Sequence, residues 1–170
     1  ADSVRPLRNG VNDYSSNNPT SGQAAPSPAN PSAGRANNQG FEGLSLSPDG
    51  RTLFVALQSA ARQDLGTPAA ATRDHTRLFT YDLSDLDHIA LTGEYVVRLP
   101  KFQQNGSTLV AAQSEVLALS NTQLLILPRD SNGLAVGTEE SKLRRVDVID
   151  LSGATNILGQ SIIAAGGVLD

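Results

Sequence analysis

One stretch of the chain occurs twice, and that repeat limits the possible folds more than any other feature. The segment "SEVLALSNTQLLILPRD" can be laid on "FEGLSLSPDGRTLFVALQS". Glu115 then falls on Glu42, Leu117 on Leu44, Leu119 on Leu46 and Ser120 on Ser47. After a shortened turn, Leu124, Leu125 and Ile126 fall on Leu53, Phe54 and Val55, Arg129 on Gln58, and Asp130 on Ser59. Further on, "VDVIDLS" at 146–152 repeats "LFTYDLS" at 78–84. The offsets drift from 73 to 71 to 68, as expected when turns and loops differ between units.

Each unit reads as β-structure. "FEGLSLS" alternates, with Glu42, Leu44 and Leu46 on one side and Phe41, Gly43, Ser45 and Ser47 on the other. "SPDG" supplies a turn, because Pro48 presets φ and Gly50 is free to take a positive φ. "RTLFVALQS" is apolar on both sides, as a strand covered on both faces should be. "TRLFTYDLS" and "GEYVVRLP" complete a four-strand unit. Two such units, over about 40–100 and 113–158, predict an all-β partial β-propeller with about two four-stranded antiparallel blades. A β-sandwich is the competing architecture. Each unit exceeds the roughly 40 to 50 residues usual for a blade, with the excess in the loops "AARQDLGTPAAATRDH" and "DSNGLAVGTEES". "GQSIIAAGG" near the end reads either as one more strand or as a short apolar segment. Propellers close with roughly 4 to 8 blades, and two alone leave sheet faces and edges open. The expectation is therefore a fragment of a longer propeller, with self-association as the alternative way of covering those edges.

Residues 1–39 differ from the rest. They are rich in Ser, Asn and Pro and hold Pro6, Pro19, Pro26, Pro28 and Pro31, five of the nine prolines. Proline fixes φ and removes an N–H donor, which disfavours helix and central strand. This region reads as an extended surface loop, with a disordered linker as the alternative. The rest of the 170 residues are apolar enough for a core, at 39% hydrophobic overall. A net charge of -4 with scattered Lys and Arg argues against a nucleic-acid partner. No apolar run is long enough to cross a membrane as a helix. Cysteine is absent, which removes disulfides, thiol chemistry and Cys-based metal sites. Asn105-Gly106-Ser107 is a glycosylation acceptor and weakly favours secretion.

The stretches "NNQGFEGLSLSPDGRTLFVALQS", "TRLFTYDLS", "TGEYVVRLP", "LLILPRDSNG" and "DVIDLSGATNI" resemble the phytase-like domain family, also called esterase-like activity of phytase. With "PSPANPSAGRANNQGFEGLS", the chain is most similar to secreted fungal members, over roughly residues 5 to 160. The resemblance implies an internal piece of a longer, secreted, propeller-like protein. It also implies hydrolysis of a phosphoric or carboxylic ester by the intact protein and an inactive isolated chain. Pro128 stands where many relatives carry Glu, so no role passes to that position.

Four residues are the candidates for chemistry. Glu42 and Glu115 hold equivalent places and would bind Ca²⁺, which takes several oxygen ligands. The alternative is that they cap strand ends. The resemblance centres on Glu42 and makes it the leading candidate. Arg129 and Gln58 would contact a phosphate ester or orient water; a structural ion pair between Arg129 and Asp130 is the competing role. Asp49 and Gly50 belong to the turn, and Asp82 and Asp150 are expected to cap turns after the third strands. His75 and His88 lack a partner at metal spacing and read as surface residues. No "GxSxG" elbow and no "GxxxxGK[ST]" phosphate loop occurs. A non-catalytic propeller segment that binds or assembles through exposed β edges is the second functional reading.

Overall fold

The computed structural model describes residues 2–15, 24–66, 72–132 and 140–160. Parts of both long loops and of "GQSIIAAGG", from residue 161 on, lie outside these, as does Pro19. Among the described residues the protein is all-β apart from two 3-10 turns, Asp2–Val4 and Arg62–Asp64. The strands are β1 (Leu7–Arg8), β2 (Val11–Asn12), β3 (Phe41–Leu46), β4 (Thr52–Leu57), β5 (His75–Asp82), β6 (Ala90–Arg98), β7 (Lys101–Gln104), β8 (Ser107–Val110), β9 (Ala112–Ala118), β10 (Gln123–Arg129) and β11 (Asp147–Asp150).

The two units of the repeat become two antiparallel sheets, β3-β4-β5-β6 and β9-β10-β11. They pack against each other as neighbouring blades of a partial β-propeller. Both are sequential meanders, because each connection is a short turn or a loop that returns the chain beside the strand it has left. The first turn works as its residues dictate. Gly50 takes φ 74° and donates its N–H to the Ser47 carbonyl at 2.9 Å. Asp49 accepts from the Ser47 hydroxyl at 2.6 Å and from the Arg51 N–H at 3.0 Å. Those two bonds hold the Asp49 carboxyl below its usual range. Asp82 and Asp150 likewise accept the N–H of Ser84 and Ser152.

The second sheet has three strands among the described residues, not four. After β11 the chain runs back to the first sheet, where Ile157 donates its N–H to Glu94 O at 2.8 Å on the free edge of β6. Asn156 accepts the Glu94 N–H and donates to Thr92 O.

The core lies between the sheets: Phe54, Ala56, Leu78 and Val97 from the first, and Val116, Leu124 and Ile126 from the second. At its centre β3 and β9 approach closely. A Cβ on Gly43 would sit 2.9 Å from both Val116 Cγ2 and Val116 N, so only glycine fits. The pairing also corrects the register of the repeat. Ser45 faces Phe54, and Ala118 faces Leu124, so Phe54 corresponds to Leu124 at an offset of 70. The sequence match of Leu53 with Leu124 is one residue out, and a one-residue slip exchanges the two faces of a strand. In the corrected register Pro128 stands on Gln58, and Arg129 stands on Ser59.

A second apolar cluster covers the other face of the first sheet. Val55, Leu57 and Phe79 pack there under Val4 and Ala61. Phe41 meets Phe79 edge to face at 5.8 Å. Beside them Arg77 is buried with two carboxylates, Asp64 and Glu94. It holds Asp64 with Nε and Nη2 at 2.5 and 2.6 Å and Glu94 with Nη1. Burial disfavours the charged guanidinium, but both carboxylates outweigh it and raise its pKa above the usual value. Of the described part of residues 1–39, Val4 packs on this face and Ser3 bonds to Glu94, while the rest is tied together around Arg8. Arg8, itself buried, donates to the carbonyls of Asp13, Pro28 and Ala29 and to Asn37 Oδ1.

Candidate functional site

The two glutamates occupy equivalent irregularities. In the first sheet Phe41 pairs with Leu57 and Gly43 with Ala56, which leaves Glu42 as an extra residue on β3. In the second, Val116 pairs with Ile126 and Gln113 with Pro128, which leaves Ser114 and Glu115 opposite Leu127 alone. Each inner strand thus carries a β-bulge at its glutamate. Bulges re-aim side chains and gather near active sites and sheet rims. The odd carboxylate at the head of each strand is therefore the bulged position, not the first residue of an apolar face.

The two sides of β3 divide between solvent and core. Leu44 and Leu46 are 64% and 54% exposed, while Gly43 and Ser45 are the buried side of β3. Leu117 and Leu119 are likewise exposed on the second sheet. The alternation holds, and its leucine side faces outward because the sheets meet through small residues on their inner strands.

Glu42 and Glu115 together line one shallow recess of about 350 Å³ with Phe41, Gly43 and Leu44. Glu42 has no hydrogen-bond or ion-pair partner among the described residues. Glu115 Oε1 accepts the N–H of Val116 at 3.0 Å. Two exposed carboxylates suit a hard cation in kind. They provide only part of the six to eight oxygens Ca²⁺ takes, and among the described residues no group of three acidic or His side chains stands close enough to hold a metal.

Gln58 and Arg129 lie at the same end of the sheets as the glutamates. Gln58 bonds back to Gly40, two residues before Glu42. Arg129 pairs with Ala112, three residues before Glu115. Gln58 is half-buried, and its Oε1 is a buried acceptor without a partner. Arg129 is exposed and donates to the backbone carbonyl of Asp130 at 3.2 Å, so the expected side-chain ion pair is absent among the described residues. The Asp130 carboxylate is instead occupied by the N–H groups of Asn132, Lys142 and Leu143 and by the Ser141 hydroxyl. Burial pushes that carboxyl up, and these donors outweigh it and hold it below the usual range. Asp130 therefore anchors the loop that follows β10.

Three features escaped sequence reasoning. The Asp64–Arg77–Glu94 cluster carries no local signature, since its members come from three separate elements. Gln113 is buried between the sheets, donates to Ala56 O at 3.1 Å, and leaves its Oε1 without a partner. The hairpin β7–β8 was legible: Asn105 and Gly106 both take positive φ between paired Gln104 and Ser107, and Asn-Gly between strands is the usual two-residue hairpin signal. The glycosylation acceptor thus sits on an exposed hairpin turn. His88 is exposed against Asp85, as expected. His75 instead opens β5, half-buried, with its Nδ1 buried and unpartnered.

Comparison with known proteins follows the same lines. The phytase-like family, described as esterase-like activity of phytase, matches residues 8–166. A protein of Arthroderma benhamiae, called an uncharacterized secreted protein, is 39% identical over 186 residues, covering 99% of this chain and 36% of that relative. The chain spans about a third of the length of the curated relative it matches. No solved structure matches it.

Proposed function

The chain belongs to the phytase-like family, and on that premise we propose that it forms part of a secreted, calcium-assisted phosphomonoester hydrolase. The observation that carries this reading is the pair of bulged glutamates, Glu42 and Glu115, in one recess. Glu42 and Glu115 would hold the ion, directly or through water. Bound calcium would supply positive charge against a phosphoryl oxygen. Arg129, exposed on the neighbouring strand end, binds the anionic ester. Gln58 orients water through its unpartnered Oε1. A channel site draws residues from most blades of a propeller, so the activity belongs to the longer protein. Secretion is supported by the name of the fungal relative and by the exposed Asn105 acceptor.

The test is phosphomonoesterase and carboxylesterase activity of the full-length protein, with calcium and after chelation. Activity that chelation removes and calcium restores supports the proposal. No activity in either condition, with no calcium bound, sinks it. Glu42→Gln is expected to abolish calcium binding, and unchanged affinity would return Glu42 to a structural role.

A second reading rests on a different observation. Leu117, Leu119, Val146 and Val148 form an exposed apolar face on the second sheet. Such a face suits assembly, either with the remainder of a longer propeller or with another copy of the chain.

A further inference from the structure

A polar cleft lies at the loop end of the first sheet, apart from the glutamate recess. Its volume is about 360 Å³, and it opens past Gln39, Ser59 and Arg73 into a second space of about 380 Å³ under the β7–β8 hairpin. Each volume lies within the roughly 300–1,000 Å³ of small-molecule sites. Arg62 and Arg73 line the first space with Asn30, Asn37 and Gln39, and among the described residues no carboxylate lines either space.

In the first space hydrogen bonding occupies the side-chain amide oxygens of Gln39, Asn30 and Asn37 and leaves the NH₂ groups of Gln39 and Asn30. Gln39 Oε1 accepts from the Ser59 hydroxyl at 2.5 Å, which leaves the Gln39 amide NH₂. Asn30 Oδ1 accepts the Asn37 N–H at 3.4 Å, which leaves the Asn30 NH₂. Asn37 Oδ1 accepts from Arg8 at 2.9 Å, and Asn37 Nδ2 donates to Ala29 O. Arg62 is steadied by one bond, Nε to Pro31 O at 3.3 Å, and its terminal nitrogens remain. Arg73 is exposed and has no partner among the described residues.

The acids nearest in sequence are committed elsewhere. Asp74 pairs with Lys101 at 3.0 Å and Arg98 at 3.2 Å, and Asp64 is held by Arg77. A chain of net charge -4 thus keeps two arginines without an ion-pair partner among the described residues on the wall of one concave site. Like charges without counter-charge repel, and a planar guanidinium is the side chain best matched to a phosphate or sulfate.

We propose that this cleft binds the anionic group of a phosphorylated or sulfated small molecule, with Arg73 and Arg62 on the anion and the free amides of Gln39 and Asn30 beside them. The site is distinct from Glu42 and Glu115 and stands whether or not the protein hydrolyses an ester.

The test is calorimetric titration of the 170-residue chain at low ionic strength with inorganic phosphate, sulfate, glucose 6-phosphate and glucose. Binding of the three anions, weakened by added salt, with no binding of glucose, is expected. Glucose 6-phosphate binding more tightly than phosphate would identify an ester as the ligand, and equal binding would identify the free oxyanion. Arg73→Gln should weaken the anions about tenfold, the factor that loss of one charge-assisted contact gives. Arg73 holds no structural bond, so this variant should fold as the parent does, and a matching circular dichroism spectrum checks that. Glu42→Gln should leave anion binding intact. The proposal is overturned if no anion binds, if Arg73→Gln changes nothing, or if Glu42→Gln abolishes the binding.

Discussion

The two sheets start from one repeated sequence and end with different outer faces. In the first, the face away from the partner sheet is closed over β4 and β5, where Val4, Ala61 and the Arg62–Asp64 turn lie over Val55, Leu57 and Phe79, while Leu44 and Leu46 on β3 stay exposed. Within that cover Arg77 is buried with Asp64 and Glu94. In the second sheet Leu117 is exposed like its counterpart Leu44, but Val148, at the place of the buried Phe79, is 64% exposed. The comparison teaches that the repeat encodes the inter-sheet face, and that segments outside the repeat decide what happens to the other. Residues 2–8 and 156–160 both serve the first sheet, through Ser3 to Glu94 at 2.8 Å and through Ile157.

The largest effect should come from breaking the closed face. Arg77→Leu would strand Asp64 and Glu94, both buried, without their counter-charge. Removing one partner of a buried ion pair typically costs about 3–5 kcal/mol. A chain of this size has total stability of roughly 5–15 kcal/mol, so the variant should be close to unfolding at 37 °C. Urea denaturation followed by circular dichroism measures it. A loss under 1 kcal/mol would mean that the triad is not closed to water and that the two outer faces differ less than described.

A smaller loss is expected from the face the sheets share. Gly43→Ala places a methyl group 2.9 Å from the backbone of Val116, and β3 and β9 must part to admit it. Overpacking of this kind costs about 1–3 kcal/mol. The paired variant Gly43→Ala with Val116→Ala separates two causes. It relieves the Cγ2 contact and leaves the backbone contact, so recovery of most of the loss would locate the strain in the side chain. Thermal denaturation of the three proteins reads the difference. An unchanged midpoint for Gly43→Ala would remove the close approach as the reason for glycine there.

How much of this was legible follows from where each signal is stored. Strand positions, the SPDG turn and the repeat are local, and the sequence carries them through period-2 alternation and turn residues. The doubly apolar reading of "RTLFVALQS" holds, with Phe54 and Ala56 on one face and Val55 and Leu57 on the other. The direction of β3 was not legible. Leucines at 44 and 46 look like core, and only the partner sheet reveals that Gly43 and Ser45 make the contact. The bulges were hidden for a related reason, since an extra residue is defined only against the strand it pairs with. Register in the second unit slipped by one because the shortened turn offered several equally apolar matches among Leu124, Leu125 and Ile126. Asp64, Arg77 and Glu94 meet only in three dimensions. The arginines of the cleft lie on a loop and a turn that the repeat does not cover, so no repeated position marks them.

The smallest effect on stability should come from the open face. Leu117→Ser with Val148→Thr changes side chains that are already more than half exposed, and surface changes of this kind usually lie within about 0.5 kcal/mol. The same pair should lower self-association at high concentration, because it breaks an exposed apolar patch on a sheet face. Sedimentation velocity across a concentration series reads association, and urea denaturation reads stability. If the double variant is strongly destabilised, this face is covered within the chain and the contrast between the sheets fails. If stability holds and association falls, the face is open to a partner and the contrast between the sheets stands. The control belongs on the closed side. Val55→Thr, on the closed part of the first sheet's outer face, removes buried apolar surface and adds a hydroxyl among apolar neighbours. It should cost more than the open-face pair and leave association unchanged, and the opposite ranking would show that the repeat itself, not its cover, sets the character of each face.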